Sequence, residues 1–456
     1  MGTVKTTRKS IEKESAFGLE RATPGILVAH APGVGASVDR CAVRTPFTLG
    51  RSAACEFVID DEKVSGRHCR IVREKSGFWL ADQGSTNGTF LNGGPVLGPR
   101  ELGERAVIRV GSTILVFHAK ANLLLAPPPL KRFGLLGPFH AGMLVQQLQE
   151  AALSSRHLLL TGPSGVGKEL AANALAAICG KAVPLEILAH NAARFTSEEE
   201  ATGTLFGVGP KVFTNVVGRP GLIEQAASGV LFLDEIHNLP IRVQRALLRV
   251  IEDGVTVRIG ETQARRTSVR FVFASNASPP DFGLAPDLLA RLRRITIPTL
   301  EERVADVPAI FKTLLEQAAI RSNLLPDRVL SCLGGDHFEA LCLDGFEADN
   351  VRGLIDITDR IVTRIQSGIS AEDAVRTVFS ERFHDGAVAG RYRVQGKEGE
   401  PHSHYEQNRE LITAVFRECR GNLSQMERVL NQRGIKCTRR WLGVYAGRWG
   451  LRTERN

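Results

Sequence analysis

A glycine-rich segment at residues 162–168 has the composition of a phosphate-binding loop. It reads Gly-Pro-Ser-Gly-Val-Gly-Lys and fits the pattern GxxxxGK, with Glu169 at the position where Ser or Thr is usual. Glycines let backbone N–H groups turn towards a phosphate, and the helix that follows adds its favourable dipole. The residues expected to hold a nucleotide here are Gly162, Pro163, Ser164, Gly165, Val166, Gly167, Lys168 and Glu169. The segment predicts binding of ATP, with Lys168 reaching the β- and γ-phosphates.

Two carboxylates, Asp234 and Glu235, follow a second apolar run that begins at Gly229. At the end of a strand, Asp234 can hold Mg²⁺ and Glu235 can polarise a water molecule. An acidic helix cap would give the same letters, but the nearby phosphate-binding loop favours the ATPase interpretation. A third apolar run ends at Asn276, where an amide can sense the γ-phosphate. Together these patterns predict a P-loop ATPase site.

The elements that must position these residues are read from the apolar runs. Residues 25–120 alternate short β-branched runs with Gly, Asn and Asp, which is typical of an all-β sandwich. Residues 133–375 alternate helical stretches with short apolar strands, which predicts a parallel α/β domain followed by a helical region. The polar segment 1–24 and the linkers 121–132 and 376–404 separate these parts from a basic helical region at residues 405–456.

Composition and charge exclude several classes of protein. The 456-residue chain is 43% hydrophobic and 23% charged, which is ordinary for globular domains. Its eight cysteines form no CxxC pair, and no apolar run approaches the ~20 residues of a membrane span. The polar start lacks the apolar stretch of a signal peptide, so we expect a soluble, cytoplasmic protein with no membrane partner. From residue 420 onwards, nine Lys or Arg residues oppose two Glu, which points to DNA as a partner.

The central region resembles the AAA+ domain of sigma-54-dependent activators, the bacterial enhancer-binding proteins. The resemblance rests on GPSGVGKE, GVLFLDEI and the intervening LFG and IEQAASG, and it covers about residues 133–370. It implies a homo-oligomeric ring, often a hexamer, that hydrolyses ATP to remodel the sigma-54 RNA polymerase. It also assigns residues. Asn191 matches the asparagine that switches the catalytic Glu235, and Arg352 matches the sensor II arginine.

Two departures from this family concern turnover and the polymerase contact. The polymerase-contacting loop reads KVFTNV, so Phe213 and Thr214 persist but both flanking glycines are lost. In the arginine-finger segment, Ala285 replaces the first arginine and Arg291 alone remains, with Arg293 or Arg294 as possible substitutes. Because an arginine finger stabilises charge during phosphoryl transfer, the sequence predicts ATP binding more firmly than ATP turnover.

The flanking regions resemble two further families. Gly50-Arg51, Ser65-Gly66-Arg67-His68 and Ser85-Thr86-Asn87-Gly88 are similar to the motifs of forkhead-associated (FHA) domains. That likeness assigns phosphothreonine and peptide contacts to Arg51, Ser65, Arg67, Thr86 and Asn87, with His68 bracing the loops. The ligand would be a phosphorylated partner protein or the chain's own phosphorylated tail. The C-terminal helices resemble a Fis-type helix-turn-helix, in which Arg439, Arg440 and Arg448 would contact DNA; a basic helical bundle for ring assembly is the alternative.

Three functional hypotheses follow. The first is an ATP-dependent regulator of sigma-54 transcription that takes a threonine-kinase signal through its FHA domain. The second is a phosphopeptide-gated, DNA-binding repressor or adaptor whose AAA+ core binds ATP without remodelling polymerase. The third is an AAA+ remodeller of some other target. The altered KVFTNV loop and Ala285 are the features that keep the second hypothesis open.

Overall fold

The computed structural model describes residues 24–32, 40–43, 45–75, 77–119, 131–180, 184–210, 218–226, 228–277, 282–383, 409–419, 425–426 and 429–430. The chain divides into two units, residues 1–391 and residues 392–456. No helix in these described ranges is both long and apolar enough to cross a membrane.

The first unit begins with a β-sandwich built from short strands whose apolar side chains face inward. Its strands are β1 (Gly25–His30), β2 (Arg40–Ala42), β3 (Phe47–Gly50), β4 (Phe57–Val58), β5 (Cys69–Glu74), β6 (Gly77–Asp82), β7 (Thr89–Leu91), β8 (Gly94–Pro95), β9 (Arg100–Leu102), β10 (Ala106–Val110) and β11 (Thr113–His118). They form a six-stranded sheet in the order β2-β1-β11-β10-β7-β8 and a five-stranded sheet in the order β4-β3-β5-β6-β9. Ile26, Leu49, Ile71 and Ile108 are fully buried between the sheets. The predicted sandwich is confirmed.

A five-stranded parallel sheet forms the middle of the first unit. Its strands are β14 (Leu158–Thr161), β15 (Ile187–Asn191), β18 (Val230–Asp234), β21 (Arg270–Ser275) and β22 (Arg293–Thr296), in the spatial order β15-β18-β21-β14-β22. The central strands are nearly continuous apolar runs because helices cover both faces of the sheet. The sequence predicted β14, β18 and β21. It did not predict β15 and β22, whose exposed positions interrupt the apolar pattern.

Short elements connect this framework. Two-residue strand pairs join β12 (Lys131–Arg132) to β13 (Leu135–Leu136), β16 (Gly207–Val208) to β17 (Arg219–Pro220), and β19 (Val255–Thr256) to β20 (Arg265–Arg266). A π-helix spans Phe139–Leu144, and 3-10 turns span Ala192–Arg194, Ile236–Asn238 and Glu301–Asp306. The end of the predicted linker at residues 131–132 is therefore β-strand, and residues 121–130 lie outside the described residues.

Helices surround the parallel sheet and then form a separate lid. The helices are α1 (Val145–Leu153), α2 (Lys168–Cys179), α3 (Glu198–Phe206), α4 (Leu222–Gln225), α5 (Ile241–Asp253), α6 (Pro286–Arg291), α7 (Val307–Arg321), α8 (Pro326–Leu330), α9 (Gly335–Asp344), α10 (Val351–Gln366) and α11 (Ala371–Phe383). Helices α7–α11 pack on one another as the lid, which confirms the predicted helical region. The predicted boundary at residue 375 is wrong, because α11 continues to Phe383 and residues 376–383 of the predicted linker are helix. In the second unit, α12 (Arg409–Glu418) is helical as predicted. Most of the predicted helix-turn-helix lies outside the described residues.

A buried ion pair joins the start of the lid to the P-loop. The side chains of Arg303 and Asp306 are both fully buried, and their charged atoms lie 3.4 Å apart. Asp306 also accepts hydrogen bonds from the backbone N–H groups of Phe139 and His140, while Arg303 donates to the carbonyl of Val166 over 2.9 Å. Burial raises the pKa of Asp306 above its ordinary value, although Arg303 opposes that shift. The pair therefore fixes three segments around the phosphate-binding loop.

Replacing one member of this pair should be costly. Asp306→Ala leaves the Arg303 guanidinium buried without a carboxylate, so we expect the free energy of unfolding to fall by ~3–5 kcal/mol. Asp356→Ala removes a carboxylate from an exposed pair with Arg360 and should cost less than ~1 kcal/mol. Urea denaturation of the two variants measures the difference, and equal losses would contradict the structural role of Asp306.

Candidate functional site

The phosphate-binding loop lies between β14 and α2, where the sequence places it. Gly165 has a φ of +78°, and a Cβ added there would lie 2.6 Å from the carbonyl oxygen of Asp349. Only glycine therefore fits at this point. The Lys168 ammonium is buried and donates to the carbonyl oxygens of Gly162, at 2.9 Å, and Pro163, at 3.1 Å. Burial lowers the pKa of Lys168, and the nearby Asp234 and Glu235 oppose that shift.

The predicted carboxylates lie at the carboxyl edge of the sheet, beside the loop. Asp234 ends β18, and Glu235 follows it in a left-handed conformation with a φ of +52°. Asn276, just beyond β21, donates through Nδ2 to Oε1 of Glu235 over 3.1 Å. The structure thus brings together Lys168, Asp234, Glu235 and Asn276 as the sequence predicted. A backbone held at positive φ costs ~1–3 kcal/mol, and such strain clusters at functional sites.

Asn191 ends β15, directly opposite Asp234 in the parallel register. Its side-chain oxygen accepts a hydrogen bond from the Ala193 N–H over 2.8 Å and caps the following 3-10 turn. This position lies at the same sheet edge as Glu235. The predicted switching role of Asn191 stays a prediction.

The lid contacts the phosphate-binding loop through two residues at the start of α10, Asn350 and Arg352. Arg352, in the first turn of α10, donates to the hydroxyl of Ser164 over 2.9 Å. Asn350 donates through Nδ2 to the carbonyl of Ser164 over 3.1 Å and accepts at Oδ1 from the Leu300 N–H. The sequence named Arg352 but missed Asn350, which is fully buried at a φ of +49°. The sequence feature that could have indicated Asn350 is its place two residues before Arg352 in the segment DNVRGL.

The arginine-finger segment lies on α6 and β22. Arg291 is 61% exposed and pairs with Glu252 on the surface, so its guanidinium can leave this site at little cost. Arg293 pairs with Glu150, and Arg294 lies over the ring of Phe282. Ala285 is buried, and its N–H donates to Gln244. Phe213 and Thr214 of the polymerase-contacting loop, and Arg439, Arg440 and Arg448 of the DNA-binding region, lie outside the described residues.

The predicted phosphopeptide residues converge on one end of the β-sandwich. The Thr86 N–H donates to the hydroxyl of Ser65 over 3.0 Å, and Asn87 donates through Nδ2 to the carbonyl of Lys63 over 2.7 Å. Arg51 is exposed, and its N–H donates to the carbonyl of Ser65. Arg67 is also exposed, and neither guanidinium forms an ion pair within the part of the chain that the structure describes. Two guanidinium groups beside short hydroxyl and amide groups can hold a dianionic phosphate.

His68 braces these loops from beneath. It is fully buried; its Nδ1 accepts from the Ser65 N–H, and its Nε2 donates to the carbonyl of Gly88. Accepting at one nitrogen and donating at the other requires the neutral ring, and burial lowers the pKa of His68 accordingly. Gly50 is equally constrained, because an added Cβ would lie 2.3 Å from the carbonyl oxygen of Gly66.

Family comparisons match both sites. Residues 140–298 match the sigma-54 interaction domain, and residues 47–111 match the FHA domain. Over 240 residues the chain is 33% identical to the nitric oxide reductase transcription regulator NorR1 of Cupriavidus necator, covering 51% of this chain and 45% of that protein. It is 34% identical over 189 residues to the anaerobic nitric oxide reductase transcription regulator NorR of Serratia proteamaculans, covering 40% and 37%. The crystal structure of NtrX from Brucella abortus covers 63% of each chain at 24% identity, with a TM-score of 0.45.

The fold and the two sites thus define a P-loop AAA+ core joined to an FHA domain. The central domain is thus similar to the sigma-54 interaction domain, and the N-terminal domain is similar to the FHA domain. The chain spans less than half the length of the two curated relatives described above.

Removing the Asn350 side chain should loosen the lid from the phosphate-binding loop. Asn350→Ala loses the bonds to Ser164 and Leu300, and we expect it to lower the free energy of unfolding by ~2–4 kcal/mol and to weaken ATP binding. Asn323→Ala is the matched control, since Asn323 also has a positive φ, +55°, but is exposed. Urea denaturation and equilibrium ATP titration measure both effects. Equal effects in the two variants would show that backbone strain, and not the lid contact, accounts for the loss.

Proposed function

We propose that this chain is an ATP-dependent regulator of transcription by the sigma-54 RNA polymerase. The observation that carries the proposal is the assembly of the lid, the phosphate-binding loop and the carboxylate edge around one site. Arg352 contacts Ser164 in the loop, and Asn276 contacts Glu235 at the sheet edge. The match of residues 140–298 to the sigma-54 interaction domain supports sigma-54 as the target and does not favour an ATP-binding adaptor that leaves polymerase untouched.

The side chains divide the work of binding and hydrolysis. Residues Gly162–Glu169 cradle the phosphates of ATP, and Lys168 neutralises the terminal ones. Asp234 would hold Mg²⁺, which neutralises phosphate charge when bound; a single carboxylate suits this ion, since it keeps several waters and phosphate oxygens as ligands. Glu235 accepts a proton from the attacking water, and Asn191 controls the orientation of Glu235. Asn276 and Arg352 sense the γ-phosphate.

The same proposal assigns the partners. The chain assembles into a ring, a hexamer by analogy with the family, in which Arg291 of one copy completes the site of its neighbour. Phe213 and Thr214 contact sigma-54, and Arg439, Arg440 and Arg448 contact DNA. The guanidinium of Arg291 is exposed and pairs with Glu252 on the surface, which supports a role outside its own copy. A cytoplasmic location follows from these partners.

The FHA domain is proposed to bind phosphothreonine. Arg51 and Arg67 neutralise the phosphate, while Ser65, Thr86 and Asn87 contact the phosphate and the peptide backbone. The pairing of Thr86 with Ser65 supports this assignment, because it holds donors from two loops at one point. The ligand is a phosphorylated partner protein or a phosphorylated threonine in the chain's own tail.

ATP hydrolysis measured over a range of protein concentrations tests the ATPase assignment. We expect the specific rate to rise with concentration, because each site needs a neighbour, and to vanish in Lys168→Ala. Arg291→Ala should still bind ATP but lose turnover on the order of a thousandfold. Arg328→Ala, on the exposed surface of α8, is the matched control and should hydrolyse normally. Undiminished turnover in Arg291→Ala would reject Arg291 as the finger.

Binding of a degenerate phosphothreonine peptide pool tests the FHA assignment. Charge-assisted hydrogen bonds contribute ~1.5–3 kcal/mol each, so Arg51→Ala and Arg67→Ala should each weaken binding about tenfold or more. Arg70→Ala, an exposed arginine on β5, should bind like the parent chain. Fluorescence anisotropy gives the affinities. Equal binding of the unphosphorylated threonine pool would contradict phosphothreonine recognition.

A further inference from the structure

The FHA domain is docked on the lid of the ATPase core. Strands β10 and β11 pack against α9, and β1 packs against α7 and against the 3-10 turn that precedes it. Phe338 of α9 meets the ring of His30 at the end of β1, with ring centroids 3.9 Å apart. This docking surface consists of His30, Gly93, Arg109 and Ser112 on the FHA side and Gly335, Phe338 and Glu339 on the lid side.

A buried ion pair lies at the centre of the docking surface. Oε2 of Glu339 accepts from Nε of Arg109 over 2.5 Å, and Oε1 accepts from the Gly93 N–H over 3.1 Å. The Glu339 side chain is only 7% exposed, and burial raises its pKa. The Arg109 guanidinium also lies 3.8 Å from the ring centroid of Phe90. Both oxygens of a lid carboxylate are thus committed to the FHA domain, so separation would leave the charge of Glu339 without these partners.

The backbones of the two domains also meet directly. A Cβ added to Gly335, the first residue of α9, would lie 2.7 Å from Cα of Ser112 and 2.9 Å from its carbonyl oxygen. Ser112 lies in the tight turn between β10 and β11. Since Glu339 follows Gly335 by four residues, the two contacts lie on one face of α9. The start of the lid helix therefore cannot move independently of this turn while the domains are docked.

One buried carboxylate ties that turn to the phosphopeptide loops. Asp61 accepts through Oδ2 from the Ser112 N–H over 2.7 Å and through Oδ1 from the Lys63 N–H over 2.9 Å. Lys63 in turn accepts from Asn87, one of the peptide-binding residues, at its carbonyl. Asn87, Lys63, Asp61 and Ser112 thus form a continuous hydrogen-bonded chain from the phosphopeptide site to the turn that contacts Gly335.

The other end of α9 leads to the nucleotide site within a few residues. The helix ends at Asp344, and Asn350 donates its N–H to the carbonyl of Phe346 over 2.8 Å. Asn350 and Arg352 then bond to Ser164 in the phosphate-binding loop. Helix α9 is therefore in contact with the FHA domain at one end and is joined to the phosphate-binding loop at the other.

We propose that the Glu339–Arg109 docking surface couples the two ligand sites, so that occupancy of the phosphopeptide loops and occupancy of the P-loop change each other's affinity. The coupling acts through α9, which both ligands bias. It rests on the proposed binding of phosphothreonine and ATP. Because coupling between binding sites is reciprocal, each ligand must change the affinity of the other by the same factor.

Two titrations of the full chain test this coupling. The affinity of the degenerate phosphothreonine peptide pool is measured with and without saturating Mg²⁺ and adenylyl imidodiphosphate, and the nucleotide affinity is measured with and without the peptide pool. We expect a shared factor of about fivefold or more, the usual range for allosteric coupling. Glu339→Gln keeps the shape of the side chain but removes its charge, and it should bring both factors close to one while leaving each ligand bound. Glu372→Gln, on the exposed surface of α11, is the matched control and should keep the parent factor.

The outcomes distinguish failure of the coupling from failure of the proposed phosphothreonine and ATP binding. Normal affinities with a factor near one in the parent chain would overturn the coupling alone, as would a factor that persists in Glu339→Gln. Absence of binding in a single-ligand titration would reject the proposed ligand and the coupling with it. Hydrogen exchange gives an independent check: Glu339→Gln should speed exchange of the backbone amides of residues 93 and 112, and unchanged rates would overturn the docking role of Glu339.

Discussion

Asn350 stands at the junction between the lid and the phosphate-binding loop, and its side chain bonds to both sides of that junction. Its φ of +49° is unfavourable for a residue with a side chain, at a cost of ~1–3 kcal/mol. Bonds to the carbonyl of Ser164 and the N–H of Leu300 offset this cost. The cost of this backbone conformation is therefore offset only while the lid contacts the phosphate-binding loop. The loop that would hold the nucleotide thus defines the position of the lid.

The positions of several other side chains depend on this contact between the lid and the phosphate-binding loop. Arg352 reaches Ser164 because α10 starts directly after Asn350, and the buried Arg303–Asp306 pair fixes the beginning of the lid against Val166. On its far side the lid carries Glu339, whose two oxygens are bound by the FHA domain. The FHA domain, lid and phosphate-binding loop consequently form one connected series of contacts within the first unit.

The sequence was informative where chemistry restricts the residue type. The nucleotide site could be located from the sequence because few other residue types fit at its key positions, which are Gly165, Lys168, Asp234 and Glu235. The FHA loops were similarly predictable, because Arg51, His68 and Asn87 stand in short motifs. Strands β15 and β22 were missed because polar residues interrupt them. Docking of the two domains was not predictable: Glu339 resembles any helical glutamate, and only the tertiary structure places Arg109 and Gly93 beside it.

The proposed action of this site on sigma-54 is tested by retention of purified sigma-54 on the ATP-loaded chain. Glu235→Gln should bind ATP without hydrolysing it and so hold the proposed ring in its ATP state, because Glu235 is assigned to activate the attacking water. We expect sigma-54 to co-elute with Glu235→Gln in the presence of ATP, to separate from it in ADP, and to be lost when Phe213→Ala is added. Complete separation of sigma-54 from the ATP-loaded Glu235→Gln variant would contradict the proposed action on sigma-54.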